Sequence, residues 1–202
     1  IEALKESLYR ELEALFSAPV CPKMIGDLIL PSDQMYIQIH ESIGHPLELD
    51  RILGDERNYA GGSFVERDDF GKLRYGPDIM NVVFAPNQKS QPVAHQFDDT
   101  GMAANDEFLI KNGVLVAGIG GVESQKRSGL LGTSSTRCSS WNRPPIDRMG
   151  NINLLPGKSS LDEMVASVES GILMKTNRSW SIDDQRDKFQ FGCEVGYLIK
   201  DG

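Results

Sequence analysis

Apolar residues at three- and four-residue steps open the chain. Ile1, Leu4, Leu8, Leu12, Leu15 and Phe16 fall on one helical face, and Pro19 follows the predicted end. A short strand is expected at Leu28-Ile29-Leu30, closed by Pro31. Ser32 is placed to cap a second helix that carries Met35, Ile39 and Ile43 on its apolar side, with Pro46 bounding it. The pattern from Leu47 to Gln91 is irregular, with one strand signal at Ile79 to Ala85. Phe108-Leu109-Ile110 and Val114-Leu115-Val116 flank Asn112-Gly113, which predicts a hairpin. From Gly118 to Ser140, Gly, Ser and Thr dominate, and composition predicts a long mobile loop. Ile152 to Leu155 reads as a strand turning at Pro156-Gly157. Ser160 and Glu163 form a capping box for a helix whose core side holds Leu161, Met164, Val165 and Val168, with Gly171 placed to end it. The last strand alternates cleanly, with Phe189, Phe191, Cys193, Val195, Tyr197 and Ile199 on one face. Asp201-Gly202 after it is a second hairpin signal, from which the natural chain is expected to continue. Strands and hairpins mixed with a few helices predict an α+β fold with a mixed or antiparallel sheet, in a single domain over residues 1–202.

Composition narrows the function classes. Of the 202 residues, 40% are hydrophobic and 25% charged, as in soluble globular proteins. No apolar run is long enough to span a membrane, so no membrane partner is expected. The net charge of −8 and the lack of clustered Lys and Arg argue against nucleic acid. Cys21, Cys138 and Cys193 are odd in number and widely spaced, which fits a reducing, cytoplasmic setting better than a disulfide framework. The first two read as ordinary thiols.

The chemistry concentrates on the second helix. His40-Glu41-Ser42-Ile43-Gly44-His45 reads HExxxH, in a chain with only three histidines. Two imidazoles can hold zinc, and the adjacent carboxylate, Glu41, can activate a metal-bound water. The spacing demands a departure from α geometry. At roughly 100° per residue, side chains at i and i+5 diverge by about 140°. Either a π-type turn brings them into line or the helix ends before His45, at Gly44 and Pro46. A catalytic zinc also needs a third protein ligand and an open position. Glu48, Asp50, His95 and Cys193 are candidates that spacing alone does not separate, and His95, in a loop, is expected to be solvated.

The segment HESIGHPLELDR, His40 to Arg51, resembles the signature of the TldD/PmbA family, historically called modulators of DNA gyrase. The likeness extends through Tyr59-Ala60-Gly61, Asp98-Asp99-Thr100-Gly101 and Asn142-Arg143-Pro144-Pro145 to Phe191-Gly192-Cys193-Glu194. The resemblance implies a portion of the C-terminal half of a longer chain. It implies zinc held by His40, His45 and Cys193, with Glu41 as the catalytic carboxylate. It implies a cytoplasmic peptidase that cuts flexible peptides, working as a homodimer or as a heterodimer with a paralogous subunit. The competing expectations are a non-catalytic metal-containing subunit, or a regulatory binding partner such as one acting on DNA gyrase.

Overall fold

The computed structural model describes residues 2–202; the expectation that Ile1 opens the first helix lies outside the described residues. Along the chain run α1 (Glu2–Ser17), β1 (Asp27–Ile29), α2 (Ser32–Ile39), α3 (Leu49–Ile52), α4 (Arg57–Ala60), β2 (Val82–Phe84), β3 (Glu107–Lys111), β4 (Val114–Leu115) and β5 (Gly118–Ile119). Then come α5 (Val122–Ser128), β6 (Gly132–Thr133), β7 (Thr136–Arg137), β8 (Ile146–Asp147), β9 (Ile152–Leu154), α6 (Leu161–Ala166), β10 (Ser170–Ile182) and β11 (Phe189–Lys200). The fold is α+β, as the pattern predicts. The expected single domain is built as two compact units. The smaller takes the chain up to Met35, Ser159–Ser179 and Phe191–Gly202; the larger takes Tyr36–Lys158 and Trp180–Gln190. No helix among the described residues is long and apolar enough to cross a membrane.

In the larger unit a four-stranded antiparallel sheet, ordered β4-β3-β2-β9, forms the framework. The predicted hairpin joins β3 to β4, with Asn112 at φ 50° and Gly113 at φ 76°, the left-handed pair that such a tight turn uses. Val82, Phe84, Leu109, Ile110 and Leu115 reach zero exposure on this sheet and pack with Ile43, Leu47, Val65 and Ile119. The strand expected at Ile79–Ala85 is shorter, Val82–Phe84, because Met80 N–H closes a turn onto the Pro77 carbonyl at 2.9 Å and Ile79 remains exposed.

The segment 118–140 corrects the expected loop. It builds β5, α5, β6 and β7, with β5 parallel to β6 and β7 antiparallel to β8. Ser124, Ser128, Thr133, Ser134, Ser135 and Thr136 are all buried. Their small size is what lets this backbone pack closely: a Cβ at Gly118 would come within 2.4 Å of Leu49 Cδ2. A composition that reads as loop here serves close backbone packing.

The smaller unit holds a three-stranded sheet, β1-β10-β11, in which β1 runs parallel to β10 from Asp27↔Gly171 to Ile29↔Leu173. Its buried core is Ile29, Val168 and Ile199, with Val165 and Leu173 packed alongside. The capping box at Ser160 and Glu163 forms as expected. Gly171 does not end that helix: α6 stops at Ala166, where Ser167 Oγ–H donates to the Met164 carbonyl at 2.7 Å, and Gly171 belongs to β10. The helix α1 forms on its predicted periodicity yet buries no residue. On β11 the alternation is only partly expressed in burial. Val195 and Ile199 are buried and Cys193 half-buried, whereas Phe189 and Tyr197 are exposed, the Tyr197 hydroxyl donating to Glu11 at 3.0 Å.

Candidate metal centre

Helical winding does not stop where α2 ends at Ile39. The chain continues as a π-turn, His40–Gly44, and a 3-10 turn, His45–Leu47. The His45 N–H donates to the His40 carbonyl, the i to i+5 bond that the HExxxH spacing calls for. Two features hold the step. Pro46, at the start of the 3-10 turn, has no N–H with which to continue an α ladder. Gly44 lies where any Cβ would fall 1.8 Å from Met149 Sδ, so a larger residue would have to push that side chain aside. Ile43 and Leu47 point into the core and fix which way the opposite face looks. The result brings the His40 and His45 rings to 4.6 Å between centroids, edge to face at 89°.

A buried carboxylate orients the second ring. Glu48, with zero exposure, sets Oε2 3.0 Å from His45 Nδ1. The same oxygen accepts from Arg51 Nε at 3.0 Å and Nη2 at 2.7 Å, while Arg51 Nη1 donates to the Ala60 carbonyl at 2.6 Å. Burial pushes the Glu48 carboxyl up, but the His45 and Arg51 donors outweigh it and hold its pKa below the usual range. Beside an anionic Glu48, Nδ1–H donates to Oε2, the tautomer that leaves the Nε2 lone pair to face outward. Desolvation, then the neighbouring His45, lowers the His40 pKa and favours its neutral form. Two imidazoles side by side, one aligned by a carboxylate, supply two nitrogen donors and the outer support of a zinc site. Glu41, between the two and half-buried, follows His40 directly.

The other candidate ligands take different places. Cys193 belongs to the smaller unit, on β11, where burial and then the nearby Cys21 push its thiol up. Asp50 is buried and reciprocally bonded with Asp147: Asp50 N–H donates to Asp147 Oδ2 at 3.0 Å and Asp147 N–H to Asp50 Oδ2 at 3.2 Å. His95, expected to be solvated, is instead half-buried, with Nδ1 2.9 Å from the Val93 carbonyl and Nε2 2.9 Å from that of Ser134. Backbone carbonyls that close in on both ring nitrogens correct that expectation. Among the described residues no three His, Cys, Asp or Glu side chains gather so as to hold a metal ion. The pair His40 and His45 is what the larger unit assembles. The orienting role of Glu48 and Arg51 was open to discovery in the sequence only as the three-residue steps His45, Glu48, Arg51 along a helical segment.

Residues 25–202 match the protein family described as PmbA/TldA metallopeptidase C-terminal domain. The chain is 29% identical over 197 residues to a metalloprotease of Methanocaldococcus jannaschii, an alignment that covers 98% of this chain and 42% of that protein. It is 25% identical over 174 residues to a zinc metalloprotease TldD homolog of Saccharolobus solfataricus, covering 86% of this chain and 37% of that one. The crystal structure of TldE from Thermococcus kodakarensis shares the fold, with a TM-score of 0.73 at 16% identity over 96% of this chain and 43% of that one. The chain thus spans less than half the length of these relatives.

Proposed function

Because this chain belongs to the PmbA/TldA metallopeptidase C-terminal domain family, we propose that it carries the metal-binding and proton-transferring residues of a zinc-dependent peptidase acting on flexible peptides. The observation that supports this most is the π-turn, which brings His40 and His45 to 4.6 Å and sets Glu41 between them in sequence. In this reading His40 and His45 hold the metal through ring nitrogens, and Cys193 is the third ligand. Zinc, when bound, supplies Lewis acidity toward a carbonyl oxygen and toward water. Glu41 accepts a proton from the attacking water and delivers it to the leaving amine as the peptide bond breaks. Glu48 and Arg51 keep the His45 ring in the tautomer that offers Nε2. Peptide substrate, a cytoplasmic setting and assembly with a second copy or a paralogous subunit belong to the same proposal.

Glu41→Gln tests it in the intact natural chain loaded with zinc. Cleavage of a quenched fluorescent peptide should fall by about 100-fold or more, the scale of a lost general base. Zinc content, measured by atomic absorption, should stay near that of the parent. Turnover close to the parent's would remove Glu41 from the role.

A further inference from the structure

A cavity of about 290 Å³ opens in the larger unit beside the π-turn. Ser42 of the motif forms part of its wall, with Phe64, Leu73, Tyr75, Arg186 and Phe189. Phe64 and Tyr75 stand 5.8 Å apart between ring centroids at 46°. The Tyr75 hydroxyl donates to the Ser42 carbonyl at 3.2 Å, which ties this wall to the backbone of the motif itself. Burial pushes that hydroxyl's pKa well up, so it remains a neutral donor. Leu73 and Tyr75 also pack against the core. The slot is therefore braced against the core on one side, lined by aromatic and aliphatic side chains with Arg74, Arg186 and Asp187 among them, and it adjoins the π-turn at Ser42.

Arg186 supplies the polar side. Its Nη1 donates to the Gly62 carbonyl at 3.0 Å and its Nη2 to that of Ala60 at 2.7 Å. Nε is buried without a hydrogen-bond partner. A guanidinium has five N–H donors, so this one is held in place with donors to spare. The residue sits at φ 62°, in the left-handed region that side chains other than glycine rarely adopt. Since Nη1 and Nη2 already donate to backbone carbonyls, their remaining N–H groups suit one more partner of the same kind, a peptide carbonyl.

We infer that this cavity is a side-chain subsite for a peptide substrate, seating one aromatic or large aliphatic residue while Arg186 donates to a backbone carbonyl beside it. The inference deepens the peptidase reading and rests on it. The size fits: about 300 Å³ is the lower end for ligand pockets, room for one large side chain rather than a whole folded segment. The exposure of Phe64, at 36%, leaves the slot reachable from solvent.

The test uses the intact natural chain, zinc-loaded and carrying Glu41→Gln so that peptide is not consumed. The probes are short fluorescein-labelled Ala-Ser peptides with one Phe walked along the backbone, and the Phe-free parent. Fluorescence anisotropy should show at least one Phe peptide bound about tenfold or more tightly than the parent, the scale of one apolar side chain in a pocket. Phe64→Trp, which fills the slot without emptying the core, should erase that preference. Arg186→Lys should weaken both peptides by a similar factor of about tenfold, leaving their ratio unchanged. No Phe preference at any position, or one that Phe64→Trp leaves intact, would overturn the subsite. If Phe-dependent binding stands while the Glu41-containing protein cleaves nothing, the peptidase reading falls and the subsite survives. Cleavage without any Phe preference removes the subsite alone.

Discussion

The two compact units differ in how much they bury. The larger closes nine buried apolar residues into one cluster around a four-stranded sheet, and Leu47 and Ile43 of that cluster flank the histidine pair. The smaller gathers three into its cluster, in a unit with a three-stranded sheet and a first helix that buries none. The proposed ligand set is divided along the same line, with His40 and His45 on the first scaffold and Cys193 on the second. A metal site is only as preorganised as its least constrained ligand, since each supporting rotamer must be locked by packing. The contrast predicts a histidine pair that is stiff before metal arrives and a cysteine whose strand resists local opening less well.

The sharpest way to break this comparison is to empty each core in turn. Leu109, with zero exposure, lies at the centre of the larger cluster, whereas Leu173 only packs against the smaller one. Leu109→Ala should cost about 2–5 kcal/mol and Leu173→Ala about 1 kcal/mol, read from urea unfolding of each variant. Hydrogen exchange should agree, with the amides of β3 protected more strongly than those of β11. Equal losses, or equal protection, would mean that the smaller core is better supported than its three-residue cluster suggests.

The larger unit also carries a liability that the smaller one lacks. Asp50 and Asp147 are buried together, and burial raises both pKa values, that of Asp50 to about 7 from 3.8. The charges of Asp147 and Glu48 add to the shift at Asp50, while Arg148 opposes it. Between pH about 4 and about 7 the folded state holds a proton that the unfolded chain has released, so stability should fall as pH rises through that window. Glu48 has the opposite sign, its lowered pKa withdrawing stability only as pH drops below the ordinary carboxylate range, so the two effects occupy different windows. Asp50→Asn keeps an acceptor for the Asp147 N–H and never ionises. It should raise stability at pH 8 by about 2–4 kcal/mol and flatten the slope between pH 4.5 and 7. An unchanged slope would clear Asp50 of the effect.

The same contrast marks what the sequence made legible. The helix at α1, the Asn112-Gly113 hairpin and the capping box at Ser160 are local signals, and each forms as read. A break in α geometry was legible for a stronger reason: two histidines five apart cannot share an ion on an α-helix, which left a π-turn or a helix end before His45, and the backbone makes the π-turn. What escaped depends on long-range packing. Gly, Ser and Thr between 118 and 140 carry no periodicity, yet their small side chains are what admit Leu49 and the adjoining strands. β10 alternates poorly because Lys175 turns to Glu11 and Thr176 takes φ 60° with its N–H on Asp33, bonds that reach across most of the sequence. Arg186 gave no signal at all, since nothing in its neighbourhood of the chain tells that Ala60 and Gly62 lie against it.

The smallest expected effect bears most directly on the histidine pair. If the larger unit preorganises its two ligands, part of the metal affinity must come from groups that never touch metal. Glu48 is the clearest such group, since its Oε2 meets His45 Nδ1 at 3.0 Å and is itself pinned by Arg51 at 2.7 Å. Glu48→Gln keeps the size and one acceptor oxygen but removes the charge that favours Nδ1–H, and its amide can present a donor to the ring instead. Zinc affinity should drop by about 10–100-fold, measured by competition with a chromophoric chelator. The β3 amides should keep their exchange protection, because the fold around Leu109 does not rest on this carboxylate. Cobalt substitution adds a readout that a purely structural role would not move: the visible bands of the bound ion should shift if His45 changes orientation. Unaltered affinity and an unaltered cobalt spectrum would mean that the π-turn alone sets the ring, with Glu48 serving only to bury the charge of Arg51.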